Sequence, residues 1–323
     1  MRVVFIGSGA FGVPALEALA ASAHQVSLVV TQPDRPAGRK QTLTPCPAAA
    51  AARRLELPLY QPERINRPAA RERLAREDAD VFVVVSYGQI LKPKVLALPR
   101  LGCLNIHASL LPRHRGASPI QGAILAGDEV TGVTIMKMDE GLDTGPMLAR
   151  REVPVAPDDT AGSLHDRLAE AAPGLLLETL EGLEEGRIEA EEQDDRAATV
   201  CPIIEKREGL VRWDLPAVDL ERRVRAFSPW PGAYTFFTAP ASGRRLRLVI
   251  ERAEVVPDLR GEAGRVLEAT PGGVVVGTGK GALRILRMKP EGRTSQEAAE
   301  FLRGYPLRPG DRLGMEDEPR GGR

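Results

Sequence analysis

Several things that would set the class of this chain early are scarce or missing. Only three cysteines occur in 323 residues, Cys46, Cys103 and Cys201, and no CxxC pair is present. That excludes a disulfide framework and a thiolate zinc site, and it fits a reducing, cytoplasmic setting. No apolar stretch approaches the ~20 residues of a membrane helix, and the opening run Val3–Ile6 is too short for a secretion signal. Net charge is absent: 44 basic residues balance 44 acidic ones. There is no internal repeat. What remains is a soluble globular protein with no membrane partner, long enough to bury a large core without staples.

The balanced total hides an asymmetry. Residues 1–188 carry 21 basic and 22 acidic side chains, 189–206 carry 2 and 6, and 207–323 carry 21 and 16. The excess positive charge lies at the rear, where it raises the question of a polyanionic partner. With the length, this predicts a front domain over 1–188, an acidic linker over 189–206, a rear domain over 207–314 and a disordered tail over 315–323.

The front part alternates apolar runs with helical patterns. Strands are expected at Val3–Ile6, Val26–Val30, Val81–Ser86, Leu104–Ala108 and Gly132–Met138, and Pro14 suits the first turn of a helix over 14–21. The fold class is therefore α/β: a Rossmann-like, mostly parallel sheet with helices on both faces and ligand sites beyond the carboxyl ends of its strands. The rear part changes rhythm. Short runs at Leu246–Ile250, Gly264–Leu267, Gly273–Val276 and Leu283–Met288, punctuated by Gly and Pro, predict a small β-barrel.

One motif points towards a nucleotide. Gly7-Ser8-Gly9-Ala10-Phe11-Gly12 matches GxGxxG between a strand and a helix, and Asp34 follows the next strand. That spacing belongs to a dinucleotide site and supports an NAD(P)-dependent dehydrogenase. A tight strand-to-helix turn needs glycine for its own reasons, however, and Asp34 sits in a loop.

Another pair is polar where a strand should be apolar. In Leu104-Asn105-Ile106-His107-Ala108, Asn105 and His107 share one face ~6–7 Å apart while their neighbours face the other way. The pair is either a hydrogen-bonded structural couple or part of a site. A second loop, Met138-Asp139-Glu140-Gly141-Leu142-Asp143, supplies acids that can orient a histidine or accept a proton.

Together, Asn105-x-His107, Ser109-Leu110-Leu111-Pro112 and Gly141-Leu142-Asp143-Thr144-Gly145 resemble the 10-formyltetrahydrofolate-dependent formyltransferases. Within them, Gln32–Arg39, Asn105–Ile120, Gly132–Met136 and Arg225-Ala226-Phe227-Ser228-Pro229-Trp230-Pro231 resemble the bacterial members that act on methionyl-tRNA. The likeness runs from Val3 to about Leu313 and implies an OB-like rear barrel. It implies a catalytic trio of Asn105, His107 and Asp143, with 10-formyltetrahydrofolate as co-substrate and no metal. Asn105 and His107 would donate to the oxyanion of the attacked formyl group, and Asp143 would take the amine's proton. It further implies a folate wall at Ser109, Leu110, Leu111 and Pro112, and a pterin pocket lined by Gln89, Ile90, Leu91 and Asp139.

Relatives of this kind formylate a purine precursor, amino sugars on nucleotides, or methionyl-tRNA. The basic loop Asp34–Lys40 favours methionyl-initiator tRNA, with Arg35, Arg39 and Lys40 as contacts. The rear domain favours it too, with 19 basic and 13 acidic residues in 207–314 and candidates Arg222, Arg223, Arg225, Arg244, Arg245 and Arg247. Lys289-Pro290-Glu291-Gly292-Arg293 matches only loosely. The chain departs from its relatives where Ile203 replaces a usual linker lysine, so that contact is either lost or moved to Lys206 or Arg207. A monomer is expected. The alternative acceptor is an amino sugar nucleotide, which would need neither the 32–40 loop nor a basic rear domain.

Overall fold

The computed structural model describes residues 1–37, 42–239 and 243–314. The expected contacts Arg39 and Lys40 and the expected tail 315–323 lie outside the described residues. Two compact units are present. The front unit comprises Met1–Ile120, Glu129–Val155 and Leu164–Pro202, and the rear unit comprises Gln121–Asp128, Ala156–Ser163 and the chain from Ile203 onward.

The front strands are β1 (Arg2–Gly7), β2 (Gln25–Val30), β3 (Arg35–Ala37), β4 (Thr42–Thr44), β5 (Leu59–Tyr60), β6 (Val81–Val85), β7 (Cys103–His107), β8 (Arg115–Gly116), β9 (Val130–Lys137), β10 (Met147–Pro154) and β11 (Val200–Cys201). Seven of them form one sheet in the order β10-β9-β7-β6-β1-β2-β5. β5, β2, β1, β6 and β7 run parallel, while β9 and β10 are antiparallel additions at one side. The apolar runs follow from burial on both faces. Val4, Ile6, Leu28, Val30, Phe82 and Val84 share one core with Ile65, Leu74 and Val95. The alternate residues Val3, Phe5, Val29, Val81, Val83 and Val85 are buried as well. Strands covered on both sides read as continuous β-branched runs, each large side chain contributing roughly 1.5–3 kcal/mol. Four front helices carry proline in their first turn, at Pro14, Pro47, Pro68 and Pro93, where no helical N–H is missed.

The five strands read from the sequence coincide with β1, β2, β6, β7 and β9. β10 escaped that reading because Arg150, Arg151 and Glu152 interrupt its apolar pattern; an antiparallel edge strand tolerates them. The expected acidic linker lies partly along the front unit: Glu191 bridges Met147, and β11 pairs in parallel with β8.

The glycine motif has a packing explanation. A Cβ on Gly7 would lie 2.6 Å from the Val85 carbonyl oxygen, one on Gly9 3.1 Å from Ser86 Cβ, and one on Gly12 3.0 Å from Val85 Cβ. The turn after β1 is pressed against the end of β6, so a side chain at Gly7 would have to displace its backbone, and Gly9 and Gly12 are tightly packed.

The rear unit is an OB-like antiparallel domain. Its strands are β12 (Ala233–Thr238), β13 (Arg245–Val256), β14 (Val266–Thr270), β15 (Gly273–Gly277), β16 (Ala282–Pro290) and β17 (Gln296–Glu297). They lie in the order β12-β13-β16-β15-β14, with β17 beside β16. The strand expected at Gly264–Leu267 begins at Val266, because Gly264 turns the chain at φ +79°. Phe237, Leu248, Ile250, Val274, Val276, Leu283, Ile285 and Phe301 fill the core. Among the described residues no helix is long and apolar enough to cross a membrane.

Candidate active site

β7 sits between β6 and β9, with Asn105 opposite Val84 and Met136 and His107 opposite Thr134. Leu104 and Ile106 are buried on one face, leaving Asn105 and His107 together on the other. The loop between β9 and β10 delivers Asp143. The Asp139 carboxylate accepts from Thr144 Oγ1 at 2.8 Å and from the Gly141 amide at 2.9 Å, which folds the loop on itself. Asp143 then adopts φ +54°, the left-handed region, which a short polar side chain tolerates better than a bulky one.

In that position Asp143 meets both strand residues. Asn105 Nδ2 donates to its Oδ1 at 3.4 Å, and His107 Nδ1 lies 3.7 Å from its Oδ2. Oδ2 also accepts from the Gly116 amide at 2.8 Å. The other ring nitrogen, His107 Nε2, is 2.9 Å from the His114 carbonyl oxygen. A carbonyl can only accept, so Nε2 carries a proton. Any proton the ring exchanges must pass through Nδ1, on the Asp143 side.

Three supporting residues were invisible in the sequence. His114, at φ +59°, turns its carbonyl onto His107, and its own amide donates to Thr199 Oγ1 at 2.8 Å. Gln193 Nε2 donates to the carbonyls of Asp143 and Gly145 at 2.8 and 2.7 Å. Nothing local marks Thr199 or Gln193: their partners are far apart in sequence.

The expected folate wall follows β7 directly. Ser109 Oγ is buried and donates to the Arg113 carbonyl at 2.6 Å, while Thr134 Oγ1 donates to the Ser109 carbonyl and accepts from the Leu111 amide. Leu111 packs with Met136, Met147 and Met138, an apolar cluster alongside Asn105's partner strand. Leu110 lies over Gly132, and Pro112 is half-buried. The segment after β6 shares the carboxyl edge of the sheet with β7. There the Gln89 amide is engaged by Ile65 N, the Glu63 carbonyl and Gln32. Leu91 belongs to the core, and Ile90 is 82% exposed. The Tyr87 hydroxyl is buried without a hydrogen-bond partner among the described residues, and burial pushes it up to about 12. Burial likewise pushes the Cys103 thiol up to about 12, so it is a core residue and not a nucleophile.

Asp34 is not available to a ribose. Its carboxylate accepts from Gln61 Nε2 and from Arg53 Nη2, both at 2.8 Å, and these bonds hold it below the usual carboxylate range. It anchors the base of the β3–β4 hairpin, from which Arg35 extends exposed. Lys206 is also exposed, at the start of a short 3₁₀ turn. In the rear unit the candidate arginines differ. Arg225 is half-buried and paired with Glu221, and Arg222 donates to the Ala126 carbonyl. Arg223 lies over Phe227, Arg245 over Phe236 at 4.3 Å and Arg247 over Tyr234 at 4.0 Å.

Residues 1–180 match the formyl transferase family, and residues 203–306 match the formyl transferase C-terminal domain. The chain belongs to the formyl transferase family. It is 48% identical to the methionyl-tRNA formyltransferase of Thiobacillus denitrificans, over 97% of this chain and 100% of that one. It is 43% identical to the methionyl-tRNA formyltransferase of Geobacter sulfurreducens, over 97% of each chain. In fold it is similar to HypX from Aquifex aeolicus in complex with tetrahydrofolic acid, with a TM-score of 0.60 at 21% identity, over 98% of this chain and 51% of that one. A formyl transferase needs no nicotinamide, so the glycine turn of this chain is a feature of packing.

Proposed function

We propose that this chain transfers the formyl group of 10-formyltetrahydrofolate to the amino group of methionyl-initiator tRNA, as a cytoplasmic monomer serving translation initiation. The observation that carries the chemistry is the convergence of Asn105, His107 and Asp143 at the carboxyl end of β7. The choice of acceptor rests on full-length relatives that carry the name methionyl-tRNA formyltransferase.

The amine nitrogen attacks the formyl carbon, a C–N bond forms, and the carbonyl oxygen becomes an oxyanion. Asn105 donates to it with the amide N–H not directed at Asp143. The attacking nitrogen loses a proton to the Asp143–His107 pair, through the Asp143 carboxylate or His107 Nδ1. Collapse breaks the bond to the folate nitrogen, which takes a proton in turn, so the pair ends as it began. His107 donates to the oxyanion only when Nδ1 is protonated, because Nε2 is held by the His114 carbonyl. Solvent-filled geometry would weaken such donors, and the apolar cluster around Leu111 keeps one side dry.

Ser109, Leu110, Leu111 and Pro112 form one wall for the folate, and 87–91 with 138–140 line the pterin pocket. The Gln89 side chain is committed to Glu63 and Ile65 and that of Asp139 to its own loop, so these segments offer main-chain groups and shape. Arg35, Arg39, Lys40 and Lys206 contact the tRNA, together with the rear domain over 207–314. Formylation of charged initiator tRNA with 10-formyltetrahydrofolate tests this. Activity on a sugar nucleotide but not on charged tRNA would move the acceptor to the amino-sugar class.

A further inference from the structure

The geometry points to Gln193 as a positioning residue of the reaction, a role that rests on the function proposed above. Its amide closes a ring of hydrogen bonds around Asp143. Nε2 donates to the Asp143 carbonyl at 2.8 Å and to the Gly145 carbonyl at 2.7 Å. Oε1 accepts from Arg115 Nε at 3.0 Å. Arg115 is followed by Gly116, whose amide holds Asp143 Oδ2 at 2.8 Å. One side chain thus fixes the main chain of the acidic residue and the strand that grips its carboxylate.

The rest of the same segment adds to this. The Arg115 guanidinium is buried and pairs with Asp195 at 2.8 Å. Thr199 receives the His114 amide, and β11 pairs with β8, so His114 and its carbonyl are set by residues 199–201. The stretch from Glu191 to Cys201 is a strap that sets both Asp143 and His107 from behind, with no atom of its own in the trio.

The need for such a strap follows from the backbone. Asp143 at φ +54° and His114 at φ +59° both occupy the left-handed region, which is unfavourable for a non-glycine residue. Each residue persists there because its peptide groups are held. A turn released from Gln193 relaxes, and the Asp143 carboxylate leaves Asn105 and His107 before any core contact is lost. The effect therefore falls on turnover, with little change in substrate binding or global stability.

Two near-isosteric variants test this. Gln193→Met removes the donor and acceptor, and Gln193→Glu sets a carboxylate against two carbonyls. For the first, kcat for formyl transfer should fall about 10–100-fold, the span of three lost, partly buried hydrogen bonds, with KM for folate and tRNA within about threefold. Gln193→Glu should fall further, and Tm should move by only a few degrees in either. The deciding measurement is a double-mutant cycle with Asp143→Asn. If Gln193 acts through Asp143, adding Gln193→Met to Asp143→Asn should lower kcat less than about threefold. An undiminished loss in that background, a raised KM in place of a lowered kcat, or full activity in Gln193→Met would overturn the role. Were Asp143→Asn too slow to assay, the kcat-against-KM split and the Tm of both single variants decide. A wild-type enzyme unable to formylate charged tRNA would defeat the proposed function instead.

Discussion

The two units hold their polar side chains in opposite ways. Around Asp143 the polar groups face inward and bind one another: Asn105, His107, Gly116 and Gln193 all converge on one residue. On the rear sheet the arginines face outward, and Arg245 and Arg247 lie over Phe236 and Tyr234 along the exposed side of β12. Under the proposed function, the first arrangement would concentrate the chemistry, so that losing one member disables the rest. The second would spread contacts over a surface whose members are exchangeable, as suits a polyanion read by its backbone.

Five substitutions would break or sharpen that contrast. Asp143→Asn keeps the shape and removes the acceptor, so kcat should fall ~10²–10⁴-fold, measured by single-turnover formyl transfer; a small effect would demote the residue to a structural part. Asn105→Ala should follow at ~10²–10³-fold, and near wild-type turnover would remove it from the oxyanion site. Arg39→Ala should weaken use of charged tRNA by roughly 10–100-fold, the worth of a charge-assisted hydrogen bond, while folate titrations stay unchanged. Arg247→Ala should cost only a few-fold in tRNA affinity. Its signature is a drop of about one in the slope of log affinity against log salt, and an unchanged slope would remove it from the interface. Ile203 is 73% exposed where relatives of this kind are expected to carry lysine. Ile203→Lys should tighten tRNA binding by no more than about fivefold at low salt and not at all at high salt, as exposed ion pairs behave.

How much of this was legible in the sequence depends on how far each interaction reaches along the chain. β1, β2, β6, β7 and β9 announce themselves because each residue's burial is written in its own identity. The face shared by Asn105 and His107 follows from strand alternation alone. β12 was also written locally, as alternating Tyr234, Phe236 outside and Ala233, Thr235, Phe237 inside, but the approach through Ser228-Pro229-Trp230-Pro231-Gly232 reads as loop and hid it. Asp143 was reachable only through resemblance, since no periodicity marks a loop acid. Gln193 and Thr199 were not legible by any local rule. They act on carbonyls and amides 48 to 85 residues away, and a side chain bound to main chain leaves no pattern in its partner's identity. The net charge of this apparent linker does not reveal its contacts with the trio's surroundings, which run through the uncharged Gln193 and Thr199 and through Asp195 paired with Arg115.

The turn of Gly7, Gly9 and Gly12 carries a consequence for descent. Gly7 answers to the distance between two backbones, set by the Val85 carbonyl, and Gly9 and Gly12 to the side chains of Ser86 and Val85 beside it. That distance is inherited with the sheet and is indifferent to what binds above it. Whatever a descendant of this chain bound, it could not release Gly7 without moving β6.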